Sequence, residues 1–255
     1  MPQFLLSPSD IQGKRFVLRG PEAFHVVRVL RCKPGQTIEL FDGEGRAYAG
    51  VVDRVLEDGS VEGTLTGARP RAENPSRVSL NLYLGLLKSS RWEWALEKGT
   101  ELGVSSFIPV ITPRTVVQLR GESRPKLDRW GKIVVAAAKQ CGIRELPVLR
   151  EPAHFRDAIV ASRDQGLTIL AWEKKPSSST YAGLRGALEE ARKRAKAGKL
   201  AVNLFIGPEG GFSDEEVELA ECEGAFLVGL GANIMRAETA AIAASAVILY
   251  ELGAL

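Results

Sequence analysis

Gly207-Pro208-Glu209-Gly210-Gly211 and Leu230-Gly231-Ala232-Asn233-Ile234-Met235-Arg236-Ala237-Glu238-Thr239-Ala240 decide how this chain is read. Each follows an apolar run and leads into a helix-like stretch, so the two segments are expected to form two walls of one small-molecule site. Ala201 to Ile206 reads as a short apolar strand, and Ser213-Asp214-Glu215-Glu216 as a capping box in which Ser213 and Glu216 satisfy the first free amides of a helix. Between them lies backbone with almost no side chains. A strand, a glycine loop and a helix start expose amide donors and let a ligand approach the main chain, which is why nucleotide-like ligands favour strand ends in α/β sheets. The second wall repeats the plan, with strand Ala225 to Leu230, a loop, and a helix from about Thr239 to Leu252.

Upstream of these walls, strands alternate with helices, the pattern of an α/β domain with a mainly parallel sheet. Val78 to Leu84, Phe107 to Ile111 and Leu167 to Trp172 read as strands. Ser90-Arg91-Trp92-Glu93 reads as a second capping box, opening a helix to Leu102. Lys126 to Cys141 is an amphipathic helix with Leu127, Trp130, Val134 and Ala137 on one face, ended by Gly142. Pro176 to Thr180 is a serine-rich loop, and Tyr181 to Ala197 a charged, exposed helix. Before the α/β region, Phe16 to Leu18, Thr37 to Phe41, Ala47 to Val55 and Ser60 to Leu65 are short β-like runs separated by turn signals, which suggests a small barrel. Pro21 to Arg31 reads as a short helix with Val26, Val27 and Leu30 on its apolar side and His25, Arg28 and Arg31 on the other. Ala68 to Arg77 is polar, holds two prolines and has no apolar period, so the linker is placed there.

A chain of 255 residues with 45% hydrophobic and 25% charged residues can bury one or two ordinary cores. It contains no uncharged apolar run of membrane-spanning length, and its first residues lack the basic start and long apolar core of a signal peptide, so a soluble, cytoplasmic protein is expected. Cys32, Cys141 and Cys222 are odd in number and far apart; each is expected to be a small buried side chain. No His/Cys/Asp/Glu set has metal-ligand spacing, so no metal is expected. The net charge of +3 is too small to announce a nucleic-acid partner, but Lys14 to Lys33 holds six basic residues against one acid, Glu22. Phosphate contacts need such a cluster. The sequence has neither a G-x-x-x-x-G-K-[ST] phosphate loop nor a G-x-G-x-x-G fingerprint after a strand, which argues against ATP and NAD as the loop ligand.

The two C-terminal segments resemble the signature of the knotted, S-adenosylmethionine-dependent RNA methyltransferases of the SPOUT superfamily, and within them the RsmE-type enzymes. Their pattern, a GPEGG-F-S loop followed by LG-x-x-I-L-R-T-E-T-A, stands here as Gly207 to Ser213 and Leu230 to Ala240, with Met235 for Leu and Ala237 for Thr. Weaker matches are His25 to Arg31, Lys88, Thr100-Glu101-Leu102-Gly103-Val104 and Gln140-Cys141-Gly142, so the resemblance covers nearly the whole chain. It implies an α/β fold with a trefoil-knotted parallel sheet over residues 78–255, a PUA-like RNA-binding β-barrel over residues 1–70 and a linker at residues 71–77. It also implies methylation of a uridine at N3 in small-subunit (16S) ribosomal RNA by a homodimer.

The same resemblance implies that S-adenosyl-L-methionine is held by Ala171, Ile206, Gly207, Pro208, Glu209, Gly210, Gly211, Leu230, Gly231, Ile234, Met235, Arg236, Thr239 and Ala240. Arg236 and Glu238 are expected to be catalytic, which the resemblance favours over the alternative of a surface ion pair capping the last helix. His25, Arg28, Arg31, Lys88 and Arg114 are expected to contact RNA; for Lys88 and Arg114, which follow predicted strands, ordinary solvation stands as an equal alternative. Departures from the family pattern fall mainly outside the loops: Ala136-Ala137-Ala138-Lys139-Gln140-Cys141-Gly142-Ile143 replaces E-A-A-E-Q-[SC]-G-R, and Pro113 precedes Arg114 where an acid is usual. Two other readings remain open on this basis: a related knotted enzyme with another target nucleotide, and an RNA-binding or ribosome-assembly protein without turnover.

Overall fold

Short alternating strands with glycine turns give the N-terminal region its curled sheet. The computed structural model describes residues 3–69, 78–117, 124–173, 183–194 and 200–255. By contacts the chain divides into two compact units, and Val135–Leu146 groups with the first of them. In that unit β1 (Gln3–Leu5), β2 (Ile11–Gln12), β3 (Arg15–Leu18), β4 (Thr37–Phe41), β5 (Ala47–Val55) and β6 (Val61–Arg69) form one sheet in the order β1-β4-β5-β6-β3-β2. Phe4, Phe16, Leu18, Val26, Ile38 and Leu40 pack its core. The expected helix is split: α1 (Gly20–Phe24) runs into a π-helical turn, His25–Val29. The wider turn breaks the three-residue spacing. His25 becomes half-buried with its ring 5.5 Å from that of Phe4, while Arg28 and Arg31 stay exposed.

The second unit follows from the alternation of strand and helix patterns. Its elements in chain order are β7 (Val78–Gly85), α2 (Ser89–Leu102), β8 (Ser106–Ile111), α3 (Arg124–Cys141), which belongs to the first unit from Val135 onward, β9 (Val148–Leu149), β10 (Ala153–His154) and α4 (Phe155–Ser162). Then come β11 (Leu167–Ala171), α5 (Gly183–Arg194), β12 (Leu200–Ile206), α6 (Asp214–Cys222), β13 (Phe226–Val228) and α7 (Ala237–Glu251). The sheet runs β10-β8-β7-β12-β11-β13, with β9 paired to β8, and every pairing is parallel. All strands therefore end on one edge, and the loops after β7, β8, β11, β12 and β13 gather there.

A polar row crosses the centre of this apolar sheet. Asn81 is in register with Ser106 on one side and Asn203 on the other, and Asn203 with Thr168. Asn81 Nδ2 donates to Asn203 Oδ1 at 2.9 Å, Ser106 Oγ donates to Asn81 Oδ1 at 2.6 Å, and Asn203 Nδ2 donates to the Ser162 carbonyl at 3.0 Å. Each amide is satisfied only when these strands hold this register, so the row opposes slippage in a sheet whose apolar runs would tolerate it. Above it, Tyr83 stacks on its register partner Phe205 at 4.2 Å.

Several elements of the fold differ from the sequence expectation. Lys88, not Ser90, is the N-cap of α2, and it makes no side-chain cap bond. Ser89 Oγ instead donates to Glu93 Oε1 at 2.6 Å, so the sidechains of that turn are used within the helix. Cys141 and Cys222 are exposed and Cys32 is half-buried, because the first two fall in the last turns of α3 and α6, away from their packed faces. α5 buries Ala187, Leu188 and Ala191 despite its charge, and β6 continues to Arg69, into the expected linker. The serine-rich loop and residues 71–77 lie outside the described residues.

Candidate functional site

The first wall is built as a pinned turn. Gly211 N donates to the Pro208 carbonyl at 2.9 Å, with Gly211 at φ +66°, a left-handed value that favours glycine. Phe212 then drops into the core, 5.2 Å from the Phe155 ring. Immediately after it the capping box closes: Ser213 N donates to Glu216 Oε2 at 2.8 Å and Glu216 N to Ser213 Oγ at 3.2 Å. Burial pushes the Glu216 carboxyl above the usual glutamate range, and the Ser213 amide and the Arg114 charge oppose that shift. From beneath, Gly85 at the end of β7 underlies the loop: a Cβ there would lie 2.3 Å from Pro208 N. From the side, Arg114 Nη1 donates to the carbonyls of Gly210 at 3.1 Å and Phe212 at 2.9 Å.

The second wall leaves β13, where Trp172 N donates to the Val228 carbonyl at 2.9 Å. Gly231 turns it at φ +129°, and Arg236 caps α7 in extended conformation, with no side-chain bond to the helix start. Together the walls enclose a cleft of about 470 Å³, within the range of small-molecule sites of about 300–1,000 Å³. Ala171, Ile206, Gly207, Pro208, Glu209, Gly210, Gly211, Leu230, Gly231, Ile234, Met235, Arg236 and Ala240 line it. Of the expected contact residues, Thr239 does not line the cleft; it is exposed on the first turn of α7. Arg91, Trp172, Glu173 and Phe212 line it without having been anticipated.

Arg236 is exposed at the cleft, whereas Glu238 is buried and does not line it. Glu238 Oε1 lies 3.6 Å from Arg91 Nε, and Arg91 Nη1 also donates to Glu209 Oε1 at 3.2 Å. Lys88 is exposed at the N-terminus of α2. In the first unit, Arg28 and Arg31 are exposed, as are Lys14, Arg15 and Lys33. Arg19 of the same basic cluster is paired with Asp10. Lys139, which departs from the family pattern, donates to both carboxylate oxygens of Glu22 at 2.9 Å and sits 5.3 Å over the Phe4 ring. The acid expected at that position would have faced Glu22 with like charge, so the lysine is matched to this chain's own partner. Among the described residues no His/Cys/Asp/Glu group could hold a metal ion, and no helix is long and apolar enough to cross a membrane.

A parallel α/β sheet with a two-loop cleft at its strand ends, preceded by a curled β unit, defines an α/β protein with a small-molecule site at its strand ends and leaves the reaction open. Residues 73–249 match the RNA methyltransferase domain family, and residues 18–65 match the RNA methyltransferase PUA domain. The chain belongs to this RNA methyltransferase family, with the SPOUT-type α/β fold and PUA-like N-terminal unit. Ribosomal RNA small subunit methyltransferase E of Bacillus subtilis is 28% identical over 241 residues, covering 94% of this chain and 91% of that protein. A protein of Legionella pneumophila, solved in complex with the bound cofactor SAM, superposes with a TM-score of 0.81 at 28% identity, covering 98% of this chain and 97% of the other. Ribosomal RNA small subunit methyltransferase E of Neisseria gonorrhoeae, solved bound to S-adenosyl methionine, gives 0.78 at 27% identity, with 98% of each chain covered.

Proposed function

We propose that this chain is an S-adenosylmethionine-dependent methyltransferase that acts on N3 of a uridine in small-subunit (16S) ribosomal RNA. The observation that carries this reading is the cleft itself, walled by both glycine loops at the strand ends of a family member whose relatives were solved with that donor. Its chemistry suits an adenosyl ligand with a cationic sulfonium: loop backbone and the apolar Ala171, Ile206, Leu230, Met235 and Ala240 stand beside Trp172 and the carboxylates Glu173 and Glu209, with Arg91 and Arg236 also in the lining. Bound S-adenosylmethionine supplies a methyl group already activated on a sulfonium. What remains for the chain is to hold that group in line with the acceptor and exclude water.

Ile206 to Gly211 and Leu230 to Met235 would hold the donor, with Ala171 and Ala240 closing against its apolar parts. The uridine imide must give up its N3 proton to solvent before the N3–methyl bond forms and the methyl–sulfur bond breaks, the sulfur leaving as a neutral thioether; a guanidinium beside the base favours the imide anion, and Arg236 is assigned that work. Glu238 is assigned to the entrance of α7, through its ion pair with Arg91. RNA contact is assigned to His25, Arg28 and Arg31 in the PUA-like domain, residues 1–70, and to Lys88 and Arg114 in the methyltransferase domain, residues 78–255. A homodimer in the cytoplasm completes the reading. Trp94 on α2 and Val247 and Tyr250 on α7 are exposed apolar side chains, and α7 is apolar on nearly all faces, which supports a second copy as their cover.

The test is purified protein with small ribosomal subunits and labelled donor, followed by mass spectrometry of digested RNA. Methyl on N3 of a uridine is the expected result. Methyl on a ribose or another base would move the chain to a sister specificity, and donor and RNA binding without transfer would refute the enzymatic reading.

A further inference from the structure

Arg91 stands between the two walls of the cleft. It projects from the first turn of α2, next to Trp92, which is buried 5.3 Å from Trp130 and fixes the helix in place. Its Nη1 reaches Glu209 in the first loop, 118 residues away in sequence, while its Nε faces Glu238 at the start of α7, where the second loop ends. The two carboxylates would repel each other across the rim without a cation between them. Glu238 is the more dependent partner: its side chain is 12% exposed, and its buried Oε2 has no hydrogen-bond donor among the described residues. A guanidinium presents separate edges to two acceptors in fixed geometry, which a lysine ammonium does not.

We infer that Arg91 is a positioning residue that couples the two loops, so that the first loop and the start of α7 adopt their ligand-holding arrangement together. The inference rests on the donor-site reading above, and it concerns how the site is assembled rather than which methyl acceptor it serves. Arg91 acts through Glu209 and Glu238. It needs no contact with the donor to set the donor's affinity.

A double-mutant cycle on the full-length chain tests this, with S-adenosylmethionine binding read by calorimetry. Arg91→Met should weaken donor binding about tenfold, the scale of losing hydrogen bonds to charged groups. Glu209→Gln should weaken it less, and the double variant should bind no worse than Arg91→Met alone, because the second change removes a partner already lost. Arg91→Lys should fall between wild type and Arg91→Met. In turnover assays the donor KM should rise by the same factor while the KM for the ribosomal acceptor stays unchanged, a split that general loosening of the fold would not produce. Independent, multiplying effects of the two changes, or unchanged affinity in Arg91→Met, would overturn the inference. If Arg91→Met does not fold, the cycle of Arg91→Lys with Glu209→Gln makes the same comparison. Absence of donor affinity in the wild type would instead overturn the donor-site reading beneath it.

Discussion

Gly85→Ala is the sharpest perturbation of the cleft that leaves every cleft-lining side chain in place. The new Cβ would lie 2.3 Å from Pro208 N, 2.6 Å from Pro208 Cδ and 2.9 Å from Gly207 C, whereas ordinary contact begins at 3.4 Å. Two of these three neighbours are backbone atoms, so no rotamer change relieves the clash. Either β7 or the first glycine loop must move by about 1.1 Å, the shortfall at the closest contact. β7 is held by pairing on both sides and by the Asn81 hydrogen bonds four residues earlier, so the loop gives way. Overpacking of this kind costs about 1–3 kcal/mol of stability. A misplacement near 1 Å in a positioning site costs up to about 10²-fold in rate, and the donor's affinity should fall with it. Gly131→Ala is the control: nothing lies within 4 Å of its Cβ, and the residue is inside α3. That change should stabilise the protein by about 0.5–1 kcal/mol and leave donor binding alone. Calorimetry with S-adenosylmethionine and thermal melts on both variants decide the matter. A folded Gly85→Ala protein that binds donor within about twofold of wild type would refute the claim that Gly85 sets the height of the loop.

Other outcomes follow from the same structure. Asn203→Leu should destabilise the protein by roughly 1–3 kcal/mol in urea unfolding, because it strands Asn81 Nδ2 in the sheet interior, whereas the Ser162 carbonyl still accepts from Gln165 N; Asn81→Leu added to it should cost less than it does alone, and strict additivity would contradict the shared network. Glu216 has a folded-state carboxyl held above its ordinary range by burial, so it contributes stability at acid pH that is lost as pH rises through that raised value. Glu216→Gln keeps an oxygen for the Ser213 amide, and its stability relative to wild type should therefore rise between pH 4 and pH 7 (roughly the window above an ordinary glutamate); a difference that is flat with pH would show that burial does not perturb this group. Replacing Arg28 and Arg31 together by Ala should weaken RNA binding and flatten its salt dependence without changing donor affinity, and an unaltered salt slope would mark them as a solvated face.

How much of this was legible before the structure depends on the range over which each feature is encoded. The strands and the Ser213 capping box are written within a few residues, by period and by a side chain that reaches its own backbone, and they appear where the pattern puts them. The cleft was legible for the same reason, since strand ends and glycine loops are local signals and a parallel sheet collects them on one edge. Short strands β1, β2, β9 and β10 were not, because two or three residues carry no period; their partners define them. The π-turn at His25 was equally hidden, as helical spacing does not reveal one extra residue in a turn.

Long cationic side chains were the hardest to read, and the reason is geometric. Arg91 was one position of a supposed capping box, Arg114 a candidate phosphate contact and Lys139 a departure from pattern; in the fold their charged ends meet Glu209 and Glu238, the Gly210 and Phe212 carbonyls, and Glu22. Each reaches a partner more than ninety residues away, so neither charge nor spacing could identify it. Two of these three side chains hold the glycine loops from elements other than the loops themselves, Arg91 at the rim of the cleft and Arg114 beside the first loop. Glycine supplies the close approach that a ligand needs, yet it also gives the loop freedom that must be removed before binding. Gly85 below, Arg114 at the side and Arg91 across the rim remove it in three directions, each from a different element. The motif therefore specifies where a ligand can come near the main chain, while residues outside it determine whether that main chain is already in position when the ligand arrives.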